Sequence, residues 1–394
     1  MSSPTKVMNN LGSLPTSVHN AYRRLLDRTI EDKEYVFKIL GWIYHARRPL
    51  RMNELREAIV VEPDHKTLNL DFLPSPGWLL QCCEGLVVWE RTSDTVRFLH
   101  STVKDFIDEE GPPILLPVDY ITRICFTYLS FDDFEGGPCA DEESMKKRVH
   151  KFNFSRYAAQ FWVLHTKGEA ENEPDIQRAV LSLLASENKR DSMLQLETYA
   201  NSSWGNISFM KGQTLLHVIA KNGLATICRF ILDERNKGEL QNLGLSDTDT
   251  DFAATDSHGR TPLSRAAENG HSEVVKSLLQ AKAEVDSKDR GGGQTPLSWA
   301  AFMGHSEVVK SLLQAKAEVD SKDSRGRTPL SWAARNGHSE VVKLLLQAKA
   351  EVDSKDRRGR TPLSRAARNG HSEVVKLLQK WEQDDGKRND AHQL

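Results

Sequence analysis

Thr261-Pro262-Leu263-Ser264-Arg265-Ala266-Ala267-Glu268-Asn269-Gly270-His271-Ser272-Glu273-Val274-Val275-Lys276-Ser277-Leu278-Leu279 reads as two short helices with a stop between them. Thr261 can serve as N-cap, and Pro262 then falls at the first helical position, where its missing N–H costs nothing. Ala266 and Ala267 let two helices approach closely. Asn269-Gly270 ends the first helix, with glycine free to adopt φ > 0. His271-Ser272-Glu273 opens the second, and Glu273 sits well for the helix dipole. Val274, Val275, Leu278 and Leu279 share one face at helical spacing. A polar run from Ala281 to Asp289 then leads to the next Thr-Pro.

The stretch recurs. Thr-Pro-Leu stands at 261–263, 295–297, 328–330 and 361–363, at intervals of 34, 33 and 33 residues. A period of this length marks a unit that buries its apolar face only when a neighbour stacks on it. The pattern resembles the ankyrin repeat: Thr-Pro-Leu-His-x-Ala, a Gly-His between the helices, and Val-Val-x-x-Leu-Leu in the second helix. Four copies match over about 255–382, and a degenerate fifth precedes them at Gly212 to Gly223 and Ile227 to Leu232. Thr214 and Thr261 are 47 residues apart, one repeat plus an insertion rich in Asp, Asn, Gly and Thr, which reads as an exposed loop.

Two positions depart from the family pattern. The helix-one histidine survives only as His217 and is Ser264, Ser298, Ser331 and Ser364 elsewhere. The glycine that normally follows helix two is Lys282, Lys316 and Lys349. If the backbone there is left-handed, each lysine costs about 1 kcal/mol relative to glycine, and Lys→Gly is expected to raise the melting temperature.

Composition narrows the function. The chain of 394 residues is long enough for two or three domains, and its 53 basic against 55 acidic side chains give no global attraction to nucleic acid or anionic membrane. Met1 to Asn20 lacks a signal-peptide core, and the most apolar stretch, Gly77 to Trp89, is too short to span a bilayer. Five cysteines without paired spacing fit a reducing interior, so the expected location is intracellular, cytoplasmic or nuclear.

The first two hundred residues follow another plan. Helical patterns at Val18 to Thr29 and Asp32 to Arg47 precede a break at Pro49, and Asn53 is placed to cap a short helix. Pro74-Ser75-Pro76 restarts a helix; Leu86 to Trp89 and Val96 to Leu99 read as strands around a turn at Arg91 to Asp94, and a helix from Ser101 closes the unit. This is a winged-helix order. Tyr22-Arg23-Arg24-Leu25-Leu26, Ile39-Leu40-Gly41-Trp42, Arg48-Pro49-Leu50-Arg51-Met52-Asn53-Glu54-Leu55 and Leu99-His100-Ser101-Thr102-Val103-Lys104-Asp105-Phe106 carry a further resemblance. They are similar to the winged helix, of GPI inositol-deacylase type, that follows the NACHT NTPase domain of fungal NLR-like (STAND) proteins, where an ankyrin array commonly comes next. Amphipathic helices follow at Ile121 to Leu129, Arg156 to His165 and Ile176 to Leu184. The expected fold is therefore mainly α, an ankyrin-repeat solenoid preceded by a winged-helix-like and helical region. Its divisions are a flexible leader 1–14, a winged-helix-like domain 15–110 and a helical linker domain 111–208. A degenerate repeat 209–235, an exposed insertion 236–254, four repeats 255–382 and a polar tail 383–394 complete it.

Catalytic signatures are weak throughout. No Gly-x-x-x-x-Gly-Lys-Ser/Thr occurs, Phe131-Asp132-Asp133 reads as a loop after a helix, and without a phosphate cradle the chain is not expected to act as a self-contained nucleotide switch. No Gly-x-Ser-x-Gly elbow supports esterase chemistry at His100-Ser101. His271, His305, His338 and His371 recur in register, but stacked helices stand about 8–10 Å apart, too far for one zinc, and these side chains are expected to fix the inter-helix turn. Phe72 to Glu90, which would supply a DNA-reading helix, has no Lys or Arg, and Lys146-Lys147-Arg148 reads as a solvated helix face.

Recognition is expected where the repeats disagree. Gly270 to Asp289 and Gly304 to Asp323 are identical, so the varying helix-one positions stand out: Arg265, Trp299, Trp332 and Arg365, then Glu268, Phe302, Arg335 and Arg368, with Met303 replacing Asn. In ankyrin stacks these positions approach the concave face. Trp299, Phe302, Met303 and Trp332 would form an apolar patch flanked by Arg335, Arg365 and Arg368, residue types common at binding hot spots; packing on the neighbouring repeat is the competing role. The expected function is a non-enzymatic protein-interaction module or adaptor, with loop tips near Asp289-Arg290, Arg325 and Arg357-Arg358 adding grip. The resemblance adds a regulatory fragment of the NLR-like family. A transcriptional co-regulator that binds transcription factors is the alternative, and direct nucleic-acid binding through the winged helix a more distant one. No cofactor, metal, membrane or small-molecule substrate is expected.

Overall fold

The computed structural model describes residues 18–28, 33–111, 116–202, 206–238, 241 and 244–391, with side chains to residue 383. The leader expected at 1–14, the end of the polar tail and parts of the insertion lie outside the described residues. Twenty α-helices and one three-stranded sheet occur among them, and the chain divides into two compact units, Met1–Phe209 and Met210–Leu394.

In the first unit, α1 (Val18–Arg28) precedes α2 (Lys33–His45), β1 (Leu50–Arg51), α3 (Met52–Val60), α4 (Pro76–Cys82), β2 (Val87–Glu90), β3 (Thr95–Phe98) and α5 (Ser101–Glu110). The sheet order is β1-β3-β2, with β3 antiparallel to both neighbours, pairing Val96 with Leu50 and Phe98 with Val87. This is the winged-helix order. Strand β1 escapes a sequence reading because it is two residues long and directly follows Pro49. Asn53 does not cap α3; it lies inside the first turn, and the Glu54 carboxylate accepts the Arg51 N–H (2.8 Å) while Arg48 grips it with two 2.7 Å bonds. His100 caps α5, its Nδ1 accepting the Thr102 N–H at 3.2 Å.

Five further helices complete this unit: α6 (Val118–Leu129), α7 (Glu142–Lys151), α8 (Ser155–Thr166), α9 (Pro174–Ala185) and α10 (Glu187–Asn201). Phe131-Asp132-Asp133 enters a 3-10 turn after α6, not a strand. On α7, Lys146 and Lys147 pair with Glu142 and Glu143 along an exposed face. The core is aromatic. Trp42 meets Phe154 and Tyr157 edge-on at 5.1 and 6.2 Å, and Tyr128 meets Phe154 at 5.2 Å. Beneath these rings lies the fully buried Glu57 carboxylate, which accepts the Phe154 N–H (2.8 Å), the Asn153 amide (2.6 Å) and the Tyr128 hydroxyl. His165 is also buried; desolvation, then the charges of Arg47 and His45, push its pKa down to about 3, so it is neutral, with Tyr157 at its Nε2 (2.9 Å).

The second unit is five helix pairs. They are α11 (Leu215–Asn222) with α12 (Ala225–Lys237), α13 (Pro262–Glu268) with α14 (Ser272–Gln280), and α15 (Pro296–Met303) with α16 (Ser306–Gln314). Then come α17 (Pro329–Asn336) with α18 (Ser339–Gln347) and α19 (Pro362–Arg368) with α20 (Ser372–Ala391). First helices pack on first helices of the neighbouring pairs, and second on second. Thr261, Thr295, Thr328 and Thr361 cap the first helices, each accepting a serine N–H at 3.2 Å with proline just inside. The insertion before α13 is not all exposed: Leu245 and Thr250 are buried, and the Arg235 guanidinium reaches the Thr250 carbonyl.

The histidines do more than shape a turn. Nε2 of His271, His305, His338 and His371 donates at 2.9–3.0 Å to the carbonyls of Lys221, Glu268, Phe302 and Arg335, each at the end of the preceding pair's first helix. Where helix one keeps its own histidine, His217 adds a second bridge, from Nε2 to the Arg260 carbonyl (2.9 Å). Ser264 and its equivalents are too short to span that gap.

Lys282, Lys316 and Lys349 have φ of 63°, 65° and 65°. Each follows a helix end closed by two bonds, as in Lys282 N–H to Leu279 and Ala283 N–H to Leu278, both 3.0 Å, the Schellman geometry in which glycine is favoured. A left-handed lysine costs about 1–2 kcal/mol, more than the ~0.5–1 kcal/mol of chain entropy that glycine loses on folding. The triple Lys→Gly variant is therefore expected to melt several degrees higher by circular dichroism; an unchanged or lower midpoint would contradict this balance.

Candidate functional site

Each loop that enters a first helix starts from a buried aspartate. Asp256, Asp289, Asp323 and Asp356 have side chains no more than 2% exposed. Each accepts two N–H groups of its own loop: His258 and Arg260, Gly292 and Gln294, Arg325 and Arg327, Arg358 and Arg360, at 2.8–3.1 Å. Such side-chain-to-backbone bonds fix a turn without a regular ladder. The loops also hold one another, through Ser257 N–H to Lys211, Arg290 N–H to His258, Ser324 N–H to Gly292 and Arg357 N–H to Arg325, at 2.7–3.0 Å. Their signal in the sequence is an aspartate five or six residues before each of the four Thr-Pro threonines, a regularity that resembles loop polarity until the bonds are seen.

The free oxygen of each aspartate captures a side chain of the first helix or of the loop that enters it. Asp256 takes Arg265, at 2.8 Å from Nε; Asp289 takes the Trp299 indole N–H (3.1 Å); Asp323 takes Arg327 (2.6 Å); Asp356 takes Arg360 (2.9 Å) and Arg365. Burial alone would raise the Asp356 pKa. The Arg360 and Arg358 N–H groups and the Arg360 and Arg365 guanidinium groups overcome it and hold the carboxyl well below the usual range.

This capture divides the eight residues singled out from the sequence. Arg265 and Arg365 are buried in ion pairs, and Trp332 is only 5% exposed, so these three do not project as ligands for a partner. Trp299 and Phe302 are half-buried, whereas Met303, Arg335 and Arg368 are exposed. Trp299, Phe302 and Trp332 do come together, edge to face, with centroids 6.0 and 5.0 Å apart. Arg260 covers the Trp299 ring and Arg327 the Trp332 ring, each at 3.8 Å.

Along the face, charge changes sign. Glu268 neutralises Arg260 (2.7 Å) and Arg265 (2.9 Å) in the first pair that carries Thr-Pro-Leu. The equivalent positions on the next three first helices are Phe302, Arg335 and Arg368. Arg325, Arg327, Arg335, Arg357, Arg358, Arg360, Arg365 and Arg368, with only Asp356 and Asn369, line a cleft of about 520 Å³. Burial, and then the charges of Arg325 and Arg335, draw the pKa of Arg327 below its ordinary value even against Asp323.

Comparison with known families accounts for this arrangement. The family model described as ankyrin repeats matches in three copies, at residues 180–289, 241–323 and 297–390, together more than half of the chain. The chain belongs to the ankyrin-repeat family. Ahead of the ankyrin array, residues 24–113 match the model described as GPI inositol-deacylase, winged helix domain, the type of region that follows an NTPase domain in NACHT proteins. No curated protein matches the chain. The ankyrin face supports a role in protein interaction; no group of three or more metal-ligating side chains occurs among the described residues, and no helix there is long and apolar enough to cross a membrane.

Proposed function

We propose that this ankyrin protein is a non-enzymatic interaction module, an adaptor that grips another protein with the helix-one face of its last four repeats. The observation that carries the reading is the row Phe302, Arg335, Arg368, equivalent positions on successive repeats, with exposed Met303 (45%) beside it. The near-identical remainder of the repeats supplies the scaffold, and specificity is placed at the helix-one positions that vary. As the setting for that grip we propose a regulatory fragment of the NLR-like family, a reading that draws on the winged-helix match at 24–113.

Trp332 is unsuitable for a test, because its removal would open the core. The variant Phe302→Ala/Met303→Glu, checked for an unchanged far-ultraviolet spectrum, is expected to lose most of the proteins that the wild-type chain captures from an extract, since hot-spot residues each contribute about 2 kcal/mol or more. Recovery of the same set in the same amounts would refute the reading.

A further inference from the structure

The arginine cleft of the last two repeats is answered by almost nothing inside the protein. Of its eight arginines, Arg327 pairs with Asp323, and Arg360 and Arg365 share Asp356. Arg325, Arg335, Arg357, Arg358 and Arg368 are exposed and have no carboxylate partner among the described residues. The Nε of Arg365, a side chain 4% exposed, also lacks an acceptor there. Five like charges brought together without counter-charge repel one another, an arrangement that an anion relieves. All eight are arginine; none is lysine. The planar fork matches a carboxylate with two parallel hydrogen bonds, whereas lysine offers a point charge.

Two neighbouring features select among anions. The aromatic faces beside the cleft are already occupied, Trp299 by Arg260 and Trp332 by Arg327 and, at 5.4 Å, Arg335. That leaves Phe302 as the one partly open ring of the three, too few for the successive stacked bases that single-stranded nucleic acid uses. Met303 and the half-exposed Phe302 open onto the same row, one repeat before Arg335 and two before Arg368, and give an apolar seat that a bare polyphosphate would not use. Successive helices stand about 8–10 Å apart, and an extended chain of the polyproline II kind advances about 3.1 Å per residue with three residues per turn, so one repeat corresponds to about three residues of ligand and every third side chain faces the cleft.

We propose that the cleft binds an extended acidic segment of a partner protein, with an apolar residue seated on Phe302 and Met303. Its Asp or Glu carboxylates then lie at intervals of about three residues, bridged by Arg335, Arg368 and the loop arginines. This deepens the interaction reading given above and rests on it. The loop residues Arg325, Arg357 and Arg358 close over the acidic side chains from one edge, and the buried Asp323 and Asp356 keep the inner guanidinium groups oriented.

The test uses the full chain and a fluorescein-labelled peptide in which one leucine is followed by glutamates at every third position, together with its reversed sequence. Fluorescence polarisation is expected to show binding that weakens by about tenfold between about 50 and 300 mM salt. Arg335→Glu/Arg368→Glu is expected to lose about 30-fold in affinity, and a control Lys276→Glu/Lys310→Glu on the second helices less than about twofold. A glutamine version of the peptide should not bind. The proposal is overturned if neither peptide binds, if both double variants lose affinity equally, or if a thymidine oligonucleotide or inositol hexakisphosphate binds more tightly than the peptide. It is equally overturned if only a phosphoserine version of the peptide binds. In each of these cases protein capture that depends on Phe302 and Met303 would still stand, so the two readings fail separately.

Discussion

Gly304→Ala is expected to destabilise the ankyrin unit by about 2–4 kcal/mol, from left-handed strain and overpacking together. Gly304 has φ of 85° and closes α15, where a residue with a Cβ is already disfavoured. An added Cβ would also stand 2.6 Å from Nδ1 of His338, far inside contact distance. The imidazole cannot retreat freely, because its Nε2 is tied to the Phe302 carbonyl at 3.0 Å, two residues before the glycine. Strain at this joint lies between the third and fourth of five pairs, and in a solenoid stability is a sum over such neighbours. Chemical denaturation followed by circular dichroism should show an earlier midpoint, with a second transition if the array separates into two parts. Adding His338→Ala removes the collision together with the Nε2 bond to the Phe302 carbonyl, so Gly304→Ala is expected to cost less in the His338→Ala background than in the wild type, the remainder being backbone strain. A single variant within about 0.5 kcal/mol of wild type would mean that the joint is soft.

Glu57→Leu is expected to cost the first unit about 3–5 kcal/mol, the usual effect of removing one side of a buried charged network. The substitution strands three donors at once: the Phe154 N–H, the Asn153 amide and the Tyr128 hydroxyl. Glu57→Gln keeps one acceptor and should fall in between. Burial raises the Glu57 pKa above 4.5, and the hydrogen bonds from Tyr128, Phe154 and Asn153 pull it back only in part. The folded state therefore holds its proton to higher pH than the unfolded state, and the stabilisation from this group is greatest below the unfolded value and declines as pH rises through the folded one. The deficit of Glu57→Leu should accordingly be larger near pH 4 than near pH 8, measured by urea denaturation at each. A deficit that grows with pH would contradict the assignment.

Both sites show where reading a sequence stops. The helix pairs were legible because Thr-Pro, Asn-Gly and Val-Val-x-x-Leu-Leu act within a few residues of one another. The left-handed lysines were legible for the same reason, since backbone strain is local. Glu57 was not, because its partners lie 71 to 97 positions away and nothing near it marks a buried acid. The loop aspartates were visible as letters and hidden as chemistry. They also decide the face, since Arg265 and Arg365 read as exposed hot spots until Asp256 and Asp356 draw them inward. Trp332 was misplaced by the same logic: an aromatic ring at a variable position can be a neighbour's packing, and here it fills the gap beside Phe302. Of the expected patch, Met303, Arg335 and Arg368 are exposed and Phe302 is half-buried.

The ladder of imidazole-to-carbonyl bonds has a consequence for how such a protein can change. Every rung joins the same two atoms of consecutive units, so a unit can be gained, lost or exchanged and the joint reforms without new complementarity. Growth by copying is then nearly free of structural penalty, while the outward letters of each copy drift independently. The chain resembles a strip of type in which the fasteners are cast alike and only the characters differ, and a lineage could compose new messages from it without recasting the frame.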